Sequence, residues 1–110
     1  MVHSMKLATE YFQKIKNGTK TIECRLYDEK KLLNVGDKIE FSNAQNDTDK
    51  ISAGIVALHT CPTFSELLNH FPIVSFGAES KESFLAVLKR FYSDEDEKKY
   101  GVVGIEIKLL

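Results

Sequence analysis

The chain has 110 residues, the usual size of one domain, with 43% hydrophobic and 28% charged residues, an ordinary globular composition rather than a disordered one. Its formal net charge of −1 argues against holding nucleic acid by overall charge alone. The halves differ, with +2 over residues 1–43 and −3 over residues 44–110, so an anionic ligand is expected on the N-terminal half.

In chain order, Met1–Met5 is too short and too polar for a secretory signal, and Met5 is a second candidate start that would leave residues 1–4 dispensable. Leu7, Ala8, Tyr11, Phe12 and Ile15 recur at helical spacing and predict an amphipathic helix, ended by Asn17-Gly18 in a left-handed cap. The period then changes to two. Thr21–Leu26 reads as a half-buried strand, with Ile22, Cys24 and Leu26 on the core side and Thr21, Glu23 and Arg25 opposite. Asp28–Leu33 reads as a short helical turn or loop. Lys38–Ser42 is a strand with Ile39 and Phe41 on one side. A polar turn over Asn43–Asp49 leads into a long strand, Ile51–Thr60. Ile51, Ala53, Ile55 and Ala57 are expected on one face there, with Val56 and Leu58 on the other, as in a central strand covered on both sides.

Thr63-Phe64-Ser65-Glu66 has the form of a capping box and opens a short helix, Phe64–His70. A second helix is predicted over Lys81–Phe91, capped by Ser80, with Phe84, Leu85, Leu88 and Phe91 inward. Ser93 caps an acidic turn, Asp94–Lys99. Val102–Leu109 closes the chain as a strand in which Val103, Ile105, Ile107 and Leu109 alternate with Gly104, Glu106 and Lys108. The whole is read as one α+β domain over residues 1–110, a curled sheet with flanking helices. No apolar run nears the ~20 residues that cross a bilayer, so a cytoplasmic protein without a membrane partner is expected.

Chemistry concentrates in Gly18-Thr19-Lys20-Thr21-Ile22-Glu23-Cys24-Arg25. The pleat puts Glu23 and Arg25 on one face, close enough to pair. Lys20 joins them only if the chain is irregular near Gly18, where glycine makes a turn cheap. The plain alternative is a surface strand whose charges pair for solubility. Cys24 and Cys61 lack metal or disulfide spacing and are expected reduced and mostly buried. His3, His59 and His70 lack ligand spacing to one another. The run Asp94–Glu97 is best read as a solvated helix start. Neither metal nor cofactor is expected.

Gly18-x-Lys20-x-x-Glu23-x-Arg25 resembles the G-x-K-x-x-E-x-R signature of ASCH domains, members of the PUA-like superfamily. The likeness continues through Leu26-x-Asp28-Glu29-Lys30, Gly36-Asp37-x-Ile39-x-Phe41 and the tail Tyr100–Ile107. It implies a small PUA-like β-barrel with flanking helices and a cleft for RNA or a modified nucleoside, lined by Gly18, Lys20, Glu23 and Arg25. Lys20 and Arg25 would hold phosphate or carbonyl oxygen, Glu23 would be the discriminating acceptor, and Tyr11, Tyr27 or Phe76 would stack on a base.

An ASCH relative that deacetylates acetylcytidine uses a lysine, a threonine and a distant glutamate. Lys20 matches the lysine and Glu79 is a candidate for the glutamate, but Glu23 stands where that enzyme has threonine, and Thr21 is displaced by two residues. An amidohydrolase with Lys20 and Glu23 as the catalytic pair is therefore the alternative function, and a regulatory domain binding another small anion a further one.

Overall fold

The computed structural model describes residues 1–28 and 32–110; half of the turn expected over Asp28–Leu33 falls outside the described residues. Alternating apolar residues draw the chain into one curled five-stranded sheet, because each strand has an apolar face that it cannot bury alone. The strands are β1 (Val2–Leu7), β2 (Ile22–Leu26), β3 (Lys38–Asn43), β4 (Asn46–Cys61) and β5 (Val102–Leu109), in the spatial order β1-β3-β4-β5-β2. Neighbours are antiparallel except β1 and β3, which run parallel from Val2 opposite Lys38 to Leu7 opposite Asn43. The sheet is a half-barrel whose two edges are β1 and β2.

Two apolar cores fill its faces. Helix α1 (Thr9–Lys16) buries Phe12 and Ile15 against Met5, Leu7, Ile39, Phe41, Ala53 and Ile55. On the other side α2 (Phe64–Asn69), a 3₁₀ turn at Ile73–Phe76 and α3 (Lys81–Lys89) cover Ile22, Cys24 and Leu26 with Phe64, Leu67, Phe76, Phe84 and Leu88. Strand β5 lies between β4 and β2 and is buried on both faces, with Val102, Val103 and Ile105 at 0% exposure. The caps fall where the polar residues predict. Thr63 Oγ1 accepts from Glu66 N–H and Ser80 Oγ from Ser83 N–H. Ser93 and Asp96 form a reciprocal capping box at the start of α4 (Asp94–Tyr100).

Four expectations need correction. Residues 2–7 pair with β3, so Leu7 belongs to this strand rather than to α1, which starts at Thr9. Strand β4 begins at Asn46, so the polar turn shrinks to Ala44-Gln45. An extra residue at Val56 breaks the register between Ile55 and Ala57; this bulge reverses the alternation and sends Leu58, not Ala57, to the core of Ile51 and Ile55. Finally, α3 stops at Lys89, and Phe91 is 73% exposed instead of inward.

Gly104 lies where α2 packs tightly on the sheet: a Cβ there would meet Leu67 Cδ1 at 3.0 Å and Ile22 Cγ2 at 3.3 Å. Gly104→Ala is expected to destabilise the protein by about 1–3 kcal/mol through overpacking, read as a lower urea midpoint with an unchanged slope.

Candidate functional site

Asn17 ends α1 and Gly18, at φ 85°, turns the chain. The Lys20 N–H then bonds back to Lys14 O, and the Thr21 N–H to Ser75 O. This irregular step before β2 delivers Lys20 to the same side as Glu23, as the requirement for a turn at Gly18 anticipated. Its side chain is 1% exposed. The ammonium donates to Ile22 O at 2.8 Å and Phe76 O at 2.7 Å, and lies 3.4 Å from Glu23 Oε1. The rings of Tyr11 and Phe84 flank it, with centroids 5.5 and 5.7 Å away, within cation–π range. The stem lies so close to Gly77, at φ 78°, that a Cβ there would stand 3.1–3.3 Å from three Lys20 carbons. Gly77 is thus a site residue that sequence reasoning missed. Lys14 Nζ holds the same loop by donating to Gly77 O at 2.7 Å.

Glu23 is buried and receives protein donors on both oxygens. Oε1 accepts from Cys24 N–H at 3.0 Å and faces Lys20; Oε2 accepts from Arg25 Nε at 3.0 Å and lies 2.8 Å from Nη2. Burial pushes its carboxyl up, but Arg25, Lys20 and the hydrogen bonds outweigh this and hold it below the usual carboxylate range. Arg25 reaches on: Nη2 donates to Lys6 O at 3.0 Å, and the guanidinium lies within electrostatic reach of the Tyr92 hydroxyl. Of the three side chains Arg25 is the most open, at 22% exposure.

All three line a cavity of about 340 Å³, walled by Tyr11, Phe84, Phe91 and Tyr92 and edged by Lys6. Among the described lining residues, three cations face one carboxylate. The other candidates lie elsewhere. Gly18 and the exposed Thr21 border a separate depression. Glu79 is exposed and borders a neighbouring cavity with Glu10 and Lys14, which shares Tyr11 and Phe84 with the main one. Of the three proposed stacking rings only Tyr11 lines the cavity; Phe76 is fully buried and Tyr27 packs on the core. Phe84, Phe91 and Tyr92 were not anticipated, although an aromatic pair directly after a helix and before the Ser93 cap is a signal that can be read.

The expectation that Glu23 stands ready to accept from a ligand meets a carboxylate that already accepts from Cys24 N–H and Arg25 Nε–H and is ion-paired with the Lys20 ammonium and Arg25 Nη2. Similarly, each of the three ammonium protons of Lys20 has a protein acceptor within reach. Cys24 is buried in this wall, and its thiol is pushed up to about 12, chiefly by burial. Cys61 is only partly buried, less than expected. His59 pairs with Glu106 and His3 with Asp37.

Glu23→Gln leaves the buried Lys20 without its counter-charge and is expected to cost about 3–5 kcal/mol of folding stability. Because the folded-state carboxyl is depressed, its stabilisation is present above about pH 4.5, its ordinary value, and is lost as pH falls through the lower folded value. Urea midpoints measured against pH should therefore drop for the natural protein in acid and flatten for the variant.

Residues 5–110 match the ASCH domain family. The crystal structure of hypothetical protein PH0355 superposes at a TM-score of 0.88 with 35% identity, over the whole of both chains. PF0455 from Pyrococcus furiosus, solved by solution NMR, is 37% identical over all of this chain and 98% of its own, at a TM-score of 0.78. The ASCH domain from Lactobacillus crispatus JV V101 shares the fold at 14% identity and a TM-score of 0.69, over 98% of this chain and 79% of that one. No curated protein matches. On the family match and on these two relatives above 30% identity, the chain belongs to the ASCH domain family and carries its PUA-like fold.

Proposed function

We propose that this protein binds RNA or a modified nucleoside, receiving one base in the cavity beside Arg25. The observation that carries this reading is the combination of aromatic walls with a partly open guanidinium in a space of about 340 Å³. That volume lies at the lower end of the ~300–1,000 Å³ of small-ligand sites, which favours a single base over a stretch of strand. Tyr11, Phe84, Phe91 and Tyr92 offer π-faces, and stacking on such faces is worth about 1–3 kcal/mol per base. Arg25 and Lys6 supply positive charge for a carbonyl or phosphate oxygen, which agrees with the excess of cations on the N-terminal half.

Two other readings draw less support. A bare small anion has no use for four aromatic walls. Hydrolysis of an acetylated cytidine would need Lys20 or Glu23 free to move a proton, whereas each is held by the other and by backbone groups. Thr21 borders a different depression.

Binding of short labelled RNA and of free nucleosides, by anisotropy and calorimetry, tests the reading. Arg25→Ala and Tyr92→Ala are each expected to weaken binding about tenfold or more, the size of one lost stacking or charged contact. Lys6→Ala should lower the salt slope for RNA by about one if its ammonium meets a phosphate. Absence of binding by the natural protein, or unchanged binding by the Arg25 variant, would refute the proposal. Acetylcytidine is expected to come through incubation with its acetyl group intact, as followed by chromatography.

A further inference from the structure

We infer that the cavity is lined by hydrogen-bond donors and prefers bases that lack an exocyclic amino group, of the uracil or hypoxanthine kind. This inference rests on the base-binding reading above and narrows it to a ligand class.

The argument is an account of hydrogen-bonding capacity. A carboxylate has about four lone-pair sites, and Glu23 already meets Cys24 N–H, the Lys20 ammonium and two nitrogens of Arg25. It is the one carboxylate among the described lining residues. The Lys20 ammonium donates to Ile22 O and Phe76 O and is ion-paired with Glu23 Oε1 at 3.4 Å. The most conspicuous acid and base of the site are therefore spent on each other and on the backbone, at 8% and 1% side-chain exposure.

What faces the cavity is of the opposite kind. The Arg25 side chain is the most open of the trio and has five N–H donors and no acceptor. Lys6 is exposed at the edge and also only donates. Tyr11 and Tyr92 bring hydroxyls, which can donate or accept. The carbonyl of Lys6, an acceptor at the same edge, is taken by Arg25 Nη2.

A ring that presents carbonyl oxygens finds partners on these groups. Its single ring N–H can be met by one tyrosine oxygen. An exocyclic amino group brings two N–H donors, in place of the ring N–H in cytosine and adenine and beside it in guanine, to a wall whose carboxylate is occupied, and donors buried without acceptors lose their hydration uncompensated. Cytosine, adenine and guanine all carry that group; uracil and hypoxanthine do not.

Calorimetric titration of the full-length natural protein with uridine, inosine, cytidine and adenosine decides the matter. Uridine and inosine should bind roughly ten- to a hundredfold tighter than cytidine and adenosine, the range set by leaving buried donors unpaired. Tyr92→Phe, which removes only a hydroxyl, should narrow that ratio. Cytidine or adenosine binding as tightly as uridine would overturn the inference while leaving base binding intact, and a ratio unmoved by Tyr92→Phe would count against it in the same way. No binding of any nucleoside or RNA would instead defeat the base-binding reading on which it rests.

Discussion

The architecture of the site depends on one buried cation. An ammonium taken out of water is costly unless every proton finds an acceptor and the charge finds a counter-charge. Lys20 meets both conditions through Ile22 O, Phe76 O and Glu23. Each partner fixes a different piece of chain: Ile22 belongs to β2, Phe76 to the 3₁₀ turn, and Glu23 to the face of β2 that looks into the cavity. The lysine stem then favours a glycine at 77, where φ is 78° and a Cβ would crowd three of its carbons at 3.1–3.3 Å. A single buried charge thus sets the loop geometry, the position of the carboxylate and the aromatic flank of Tyr11 and Phe84.

Arg25 extends this network across the open side of the half-barrel. Strands β1 and β2 are the two edges of the sheet, and an edge strand exposes unpaired backbone groups. The guanidinium takes Glu23 on its own strand and the Lys6 carbonyl on β1, so a side chain stands where a ladder bond would close a full barrel. The cavity lies at that seam, lined by Lys6 and Leu7 from one edge and by Glu23, Cys24 and Arg25 from the other. The opening is what makes a site possible, and the charged trio lines it.

Much of this was legible where local rules decide. The pleat alone puts Glu23 beside Arg25, the cap residues Thr63, Ser80 and Ser93 start their helices, and the turn at Gly18 is what Lys20 needs to join the pair. The failures share a physical cause, which is dependence on distant contacts. Strand β1 buries only Met5 and Leu7, too few to betray a period of two, and its pairing with β3 spans more than thirty residues. The bulge at Val56 leaves no trace in residue type yet reverses every later assignment of faces in β4. Gly77 looks like any loop glycine until the stem of Lys20 is laid against it. Glu23 reads as an available acceptor because a sequence shows the carboxylate but not the donors around it.

That last point separates two kinds of site residue. Lys20 and Glu23, which carry the resemblance to the family most visibly, form the frame: they are buried, mutually neutralising and each hydrogen-bonded to the protein. The surfaces left for a ligand are Arg25 and the rings of Tyr11, Phe84, Phe91 and Tyr92, drawn from α1, from α3 and from the connection that follows it. A frame of this sort can hold the same cavity open while the residues on the helices and the connection decide what enters. The signature therefore marks the scaffold and its cavity, whereas under the proposed base-binding reading the choice of ligand would rest on aromatic and hydroxyl groups outside the signature, at positions brought to the cavity only by the fold.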